Sequence, residues 1–352
     1  MGNWRDYLRK IDPYVPGEQP KLTNMIKLNT NENPYPPSPR VREVLDGYDE
    51  SMLRLYPDPN STELIEAIAE YENLGTNQVF VGVGSDDVLA IAFMTFFHAE
   101  KPILFPDITY SFYDVWAKLF EIPFKQIPLN EKFELVKEDY YCENGGLVIA
   151  NPNAPTGIPQ SLASLEDIVK HNQDVVVIID EAYVDFCDFS ARELIDRYDN
   201  VLIVQTCSKS RSLAGMRIGH AMGHPDLISA MNAVRFSFNS YPMTRLSVAI
   251  GSAAIRDKDY FEKQRKKVIA TREWAKKELK RLGFHFGDSE TNFIFAEHES
   301  VPGIEFFEKL REKQIFVRRF GDNPRIKNYL RISIGTDEEM RIFIREVEDI
   351  IG

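Results

Sequence analysis

Lys209 stands in "TCSKSRSLAGMRIG", just beyond the apolar run "NVLIVQ", between Ser208 and Ser210 and eight residues ahead of Arg217. A lysine amine attacks a carbonyl only when unprotonated, and its ordinary pKa near ~10.4 works against that. Partial burial and a neighbouring cation both favour the neutral amine, so Arg217 is an apt companion. Other strand ends add further groups. Asp180 closes "VVVIID" with Tyr183 three residues on, and an anion there can keep a heteroaromatic nitrogen protonated. "GVGSDD" at 82–87 is a glycine-flanked strand-to-helix turn, where the N–H groups of Ser85 and Asp86 suit a phosphate. "ANPNAPTG" at 150–157 is an Asn/Pro-locked loop. Each has a plainer meaning on its own: a solvated loop lysine, an acidic cap, a tight turn, a structural loop. Together, a lysine, an acid, a phenol and a phosphate nest are the parts needed to hold pyridoxal 5′-phosphate, with Ser208, Ser210 and Arg217 as further phosphate donors.

Such groups need a scaffold that gathers strand ends, since ligands of open parallel α/β sheets bind outside the carboxyl ends of the strands. "QVFVGVG", "PILFP", "FKQIPL", "GLVIANP", "DVVVIID" and "NVLIVQ" are short, apolar, β-branched runs. Between several of them lie helical stretches: "SDDVLAIAFMTFF" from Ser85, "TYSFYDVWAKLF" and "SLASLEDIVKHN", after an earlier helix "STELIEAIAEYENL" capped by Ser61 or Thr62. This alternation predicts an α/β fold with a mostly parallel sheet covered on both faces. After "MRIGHAMG" the texture changes. A long helical stretch from about 244 to 281 leads to "TNFIFAE", the helix "GIEFFEKLREKQ", the strand-like "IFVRRF" and "YLRISIG", and a last helix with Thr336 and Glu339 as a capping box. The expected organisation is an extended arm over 1–40 that joins the smaller unit, a large domain over 41–245, and a small α+β domain over 246–352 that begins with the long bridging helix.

Composition narrows the function classes. With 352 residues, 43% of them apolar, the chain can bury a large core. A net charge of −12 argues against nucleic acid as a partner. The basic stretch at 263–281 is interrupted by apolar residues and reads as a solvated helix face. Cys142, Cys187 and Cys207 form no CxxC pair and no ligand spacing, so neither a disulfide framework nor a metal site is expected. The polar N-terminus lacks the apolar core of a signal peptide, and Asp6 stands where a myristoylation signal needs Ser or Thr. No run of about 18 apolar residues occurs. A cytoplasmic protein is expected.

"SKSRSLAGMRIG", "DEAY", "NPNAPTG", "YPDP" and "YLRISIGTDEEM" occur in an order that resembles the fold-type I aminotransferases over nearly the whole chain, and among them the histidinol-phosphate aminotransferase family most. The resemblance implies the PLP-dependent fold-type I architecture: a large domain with a mostly parallel seven-stranded sheet between helices, and a smaller α+β domain. It implies that Lys209 carries the cofactor, that Asp180 pairs with its ring nitrogen, and that Tyr183 bonds its phenolic oxygen. Tyr110, in "PDITYSFY", would stack on the ring. Tyr56, in "LYPDP", would reach the partner's cofactor phosphate in a homodimer with shared active sites. One position departs from the family: the asparagine that often precedes "PTG" is here Ala154. Either Asn153 or Asn151 takes over, or Tyr183 works with a water. Asn153 is carried forward, and losing one such hydrogen bond costs on the order of 1 kcal/mol.

The resemblance also implies the substrates, histidinol phosphate with glutamate or 2-oxoglutarate. Arg331 would grip the donor's α-carboxylate, a task for a planar guanidinium fork. Arg318 would hold the substrate phosphate, with Tyr14 of the arm closing over it and Glu32 of "NTNENP" meeting the imidazole. The plain alternative for Arg318 or Arg319 is a surface strand cation. Lys209, once freed, would act as general base in a ping-pong cycle through pyridoxamine phosphate. Rival activities are an aromatic amino-acid aminotransferase and a threonine-phosphate decarboxylase. A PLP-binding regulator would need a spare DNA-binding segment, and a nucleotide-binding protein would need a phosphate-loop or dinucleotide fingerprint; the chain offers neither.

Overall fold

The computed structural model describes residues 3–22, 24–321 and 323–352; the first two residues of the arm, Thr23 and Asp322 lie outside them. Strands are numbered in chain order: β1 (Ile26–Lys27), β2 (Val79–Gly82), β3 (Ile103–Pro106), β4 (Phe124–Ile127), β5 (Leu147–Ala150), β6 (Val177–Asp180), β7 (Val201–Thr206), β8 (Gly219–Gly223), β9 (Phe284–Phe286), β10 (Phe293–His298), β11 (Ile315–Phe316), β12 (Arg318–Arg319) and β13 (Leu330–Ser333). The central sheet has seven strands in the order β2-β8-β7-β6-β5-β3-β4. Its neighbours from β4 to β7 pair in parallel, as the repeated strand–helix alternation requires, while β8 runs antiparallel to both β2 and β7. Strands buried on both faces explain the unbroken apolar runs. On one face Val148, Ile178 and Leu202 pack with Phe93, Tyr113 and Trp116; on the other Ile149, Ile179 and Ile203 meet Leu165 and Ile168. Each such buried aliphatic side chain stabilises the fold by roughly 1.5–3 kcal/mol. Truncating Ile178, which has no exposed surface, would cost about 2–5 kcal/mol.

A second, antiparallel sheet has the order β12-β13-β10-β9. Its apolar side chains pack with those of Val268, Ala275 and Leu279 from the helix Lys258–Arg281 and with Phe343 and Val347 from the helix Asp337–Ile351. The Thr336–Glu339 capping box is formed as expected. The arm is less bare than its composition implies, because β1 pairs in parallel with β11.

Three local expectations change. The stretch 244–281 is two helices, Arg245–Arg256 and Lys258–Arg281, because Asp257 caps the second through Tyr260 N and also accepts from Ser38 Oγ. The run "IFVRRF" splits between two sheets, as β11 and β12. Neither Ser61 nor Thr62 caps its helix with a side chain; Asp58 Oδ2 accepts from Thr62 N at 2.8 Å instead.

Candidate active site

Strands β5, β6 and β7 end side by side, Ala150 opposite Asp180 and Asp180 opposite Val204, and a cavity of about 480 Å3 opens at that rim. Asp180 shares a strand face with Ile178, the face on which Tyr113 packs. The Tyr113 hydroxyl therefore reaches Asp180 Oδ2 at 2.6 Å, and Ala182 N donates to Oδ1 at 3.2 Å. Burial raises the Asp180 carboxyl to about 6 against these two bonds. No cation pairs with it among the described residues, so the carboxylate waits for a positive partner in the cavity. Glu181, one residue on, points to the other face, where Ser190 Oγ, Ala191 N and Gln205 Nε2 hold it; its role is structural.

Lys209 follows β7 at the same rim. Its Nζ donates to Thr30 O at 3.3 Å and lies 5.7 Å from the centre of the Tyr183 ring. The loop that carries it is closed at both ends, Cys207 N to Ile218 O at 3.0 Å and Leu213 N to Cys207 O at 3.1 Å. Because β8 is antiparallel, its start lies at the rim, with Thr206, Gly219 and Gly82 in register. This brings Arg217 beside the turn at 82–87. A side chain on Gly219 would place Cβ 2.3 Å from Ser85 N, and one on Gly84 (φ +88°) would place it 2.5 Å from Arg217 Nη2. The two glycines make the nest and the guanidinium's seat on it. Arg217 pairs with Asp86 at 3.2 Å, and the Tyr110 hydroxyl donates to the same carboxylate at 2.7 Å.

At the other end of the cavity stand the arm and the second sheet. Arg331 is partly buried and its guanidinium lies deep: Nη2 donates to Asn29 O at 3.2 Å, Nε is buried with no partner among the described residues, and the rings of Phe293 and Phe320 lie 5.4 Å away. Arg318 donates to the arm carbonyls Val15 O and Pro16 O. Tyr14 stacks on Phe112 at 4.2 Å. Glu32 pairs with Lys27 and accepts from Thr30 Oγ1; burial alone would raise its carboxyl, but these bonds and the charges of Lys27 and Lys209 hold it below the ordinary range.

The cavity thus gathers Tyr14, Glu32, Asp86, Tyr110, Asp180, Tyr183, Ser208, Lys209, Arg217, Arg318 and Arg331. Five expected residues do not line it. Ser210 Oγ turns away to Asp185. Asn153 is consumed by Thr109, Ile108 O and Thr156, because its loop folds its amide inward; it does not replace the asparagine missing at Ala154. Asn151 accepts from Gln160 N and is fully buried. Ser85 begins its helix behind Asp86. Tyr56 is 79% exposed and stacks on Tyr241 at 4.8 Å, away from its own chain's cavity. Sequence reasoning missed Asn31, whose Nδ2 donates to the Tyr183 hydroxyl at 2.9 Å, and Tyr113. Tyr113 was visible as the inward residue of "FYDVWAKL"; Asn31 had no signal beyond a polar run.

An open sheet of this order, with an amine, a buried acid and a phenol at its carboxyl rim, is that of the fold-type I transferases. The family description "Aminotransferase class I and II" matches residues 23–347. The chain belongs to that family, whose chemistry depends on pyridoxal phosphate. It is 52% identical to the histidinol-phosphate aminotransferase of Acinetobacter baylyi over 100% of this chain and 98% of the relative. It is 49% identical to that of Lactococcus lactis subsp. cremoris, over 99% and 98%. Among solved structures, the histidinol-phosphate aminotransferase of Sinorhizobium meliloti in complex with pyridoxal-5′-phosphate shares the fold with a TM-score of 0.83, at 22% identity over 93% of this chain and 90% of that one. The Clostridium acetobutylicum enzyme gives 0.85 at 20% identity, over 93% and 99%.

Proposed function

We propose that this chain is a pyridoxal-phosphate-dependent aminotransferase that interconverts L-histidinol phosphate and imidazole acetol phosphate, with 2-oxoglutarate and glutamate as the second pair, in histidine biosynthesis. The observation that carries the reading is one cavity with Lys209 and Asp180 at one end and two guanidiniums, Arg318 and Arg331, at the other. The near-full-length identity to enzymes of that name supports the substrate.

The residues fit the cofactor on their own chemistry. Asp180 is a buried carboxylate with no cation partner among the described residues, suited to a protonated ring nitrogen. Ser208, Arg217 and the helix start beside Gly84 suit a phosphate, for which the Asp86 carboxylate competes at Arg217. When bound, the cofactor supplies an electrophilic aldehyde and an electron-withdrawing ring. The protein's own residues do the rest. Lys209 would hold the cofactor and, as a free amine, would be the base that moves a proton from the substrate carbon. Tyr183 would donate toward the phenolic oxygen, and the ionised Asp180 would keep the ring cationic. Arg331 receives the α-carboxylate of glutamate, and Arg318 the phosphate of histidinol phosphate; neither anion is held by lysine's single point charge as it is by a planar fork. Tyr14 and Glu32 close the arm side around the imidazole and help exclude water.

The division of labour follows the three segments 1–40, 41–245 and 246–352. We also propose a homodimer as the working unit: Leu53, Leu55, Tyr56, Phe236 and Phe238 are exposed apolar side chains, Tyr56 stacks on Tyr241, and the resemblance assigns Tyr56 to a partner's cofactor. Soluble phosphorylated substrates and three free cysteines suit the cytoplasm, and no helix among the described residues is long and apolar enough to cross a membrane.

The test is to incubate the cofactor-loaded protein with histidinol phosphate and 2-oxoglutarate and follow glutamate. Rapid glutamate formation is expected, with tyrosine and phenylalanine slower donors. A preference for the aromatic donors, or carbon dioxide released from threonine phosphate, would replace this reading. Borohydride should fix the cofactor on Lys209 and on no residue of the Lys209→Ala variant.

A further inference from the structure

Tyr183 presents its hydroxyl to the cavity from a buried position, and the residue across the rim that could share its task, Ala154, offers only a methyl group. A phenol has one proton to give and can also accept, so its usefulness as a donor depends on what else it bonds. Asn31 decides this. Its Nδ2 lies 2.9 Å from the Tyr183 oxygen. The amide's orientation is fixed from behind: Asn31 N donates to Ser333 Oγ at 2.9 Å, and Ser333 passes its own proton to Asn31 Oδ1 at 3.0 Å. With Oδ1 committed as acceptor, the NH2 group faces the phenol. Asn292 Nδ2 donates to Asn31 O at 2.9 Å, which ties down a residue held at φ +55°.

We propose that Asn31 is a positioning residue that occupies the acceptor side of the Tyr183 hydroxyl and thereby commits its proton to the cavity, toward the phenolic oxygen of the cofactor. This rests on the cofactor reading given above. Among the described residues no other group bonds the hydroxyl: Lys209 Nζ lies 5.7 Å from the ring centre and donates to Thr30 O instead, and Arg331, whose charge the phenol feels, is a guanidinium that accepts no proton. The Asn31–Tyr183 pair thus compensates for Ala154, with an asparagine from the arm rather than from the loop after β5. It also makes the donor conditional on the arm being docked against Ser333 and Asn292.

The test uses the cofactor-loaded protein and reads the pH midpoint of its visible absorbance, which reports protonation next to the phenolic oxygen. A donor to that oxygen stabilises its ionised form and lowers the midpoint. Asn31→Ala should raise it by about half a pH unit or more, the scale of one hydrogen bond. Tyr183→Phe should raise it too, and the double variant no further than Tyr183→Phe alone. An Asn31→Ala midpoint equal to the parent's, or a shift that adds in full to that of Tyr183→Phe, overturns the proposal. Should Asn31→Ala fail to fold, Asn31→Asp keeps the shape but must take a proton from Tyr183. It is expected to raise the midpoint at least as far, and a parent-like value overturns the proposal. If the parent itself shows no visible band and borohydride fixes nothing on Lys209, the cofactor reading fails and this proposal with it; a normal parent band with indifferent Asn31 variants sinks the proposal alone.

Discussion

Arg318 and Arg331 face each other in register across the antiparallel pair β12–β13, and the Phe320 ring lies within 6 Å of both, at 5.9 and 5.4 Å. Their surroundings differ. Arg318 faces the arm carbonyls and keeps contact with solvent, whereas burial, with the neighbouring charge of Arg318, depresses the Arg331 pKa although tyrosines oppose the effect. Two cations held this close tolerate each other best when each meets an anion.

The pair therefore predicts a split. Arg318→Ala should lower kcat/KM for histidinol phosphate by roughly 10- to 100-fold, the worth of a charge-assisted hydrogen bond, and leave the glutamate half-reaction within a few-fold. Arg331→Ala should damage the glutamate half-reaction most. Single-turnover measurements with each donor separate the two, and equal losses for Arg318→Ala would contradict its assignment.

Asp180 makes the stability of the fold depend on pH. Its folded pKa, about 6, is raised above the unfolded value by burial. Stability from this residue is thus complete below about pH 4 and is lost as pH rises through 6, at a cost of up to about 3 kcal/mol when ionised. Asp180→Asn should melt higher than the parent at pH 8 without cofactor, with the gap closing near pH 4, while turnover collapses. An unchanged melting temperature at pH 8 would mean that the carboxylate is better compensated than its two bonds imply.

Tyr113→Phe removes one of those bonds and little else. The carboxyl should titrate higher, because the lost bond favoured the charged form. The expected readout is a several-fold weaker hold on pyridoxal phosphate in equilibrium dialysis, with a KM for substrate changed far less.

Tyr56 offers a test of shared sites. Neither Lys209→Ala nor Tyr56→Ala alone should be fully active. If subunits exchange, each mixed dimer holds one intact site, and an equal mixture should recover roughly a quarter of the parent's specific activity. Additive residual activities would mean that Tyr56 serves its own chain or none.

Most of the frame was legible because burial on both faces writes itself as apolar runs: β3, β5, β6 and β7 are visible in "PILFP", "GLVIA", "VVVIID" and "NVLIVQ". The groups at their ends were legible for the same reason, since a charged residue closing such a run stands out. What could not be read depends on distant partners. Strand β8 is rich in glycine and carries His220, so its central place is set by packing between β2 and β7 rather than by propensity. Asp257 reads as one more acid in a helical pattern until Ser38, far away in sequence, meets it. Asn31 matters through Tyr183, Ser333 and Asn292, none of them near it in the chain. Ser210 and Asn153 failed because spacing gives proximity, not the direction in which a side chain points.

The reversed course of β8 sets limits on how this chain could be lengthened. A single hairpin-like excursion between Thr206 and Gly219 delivers both the amine and the guanidinium, and its ends are pinned by main-chain bonds. An added residue anywhere in 210–216 would shift Arg217 against Lys209 with no slack to absorb it. The exposed turn at 98–100, which carries none of these groups, could take insertions more readily. Natural or engineered length variation should accordingly gather there and stay out of the segment between the two cations.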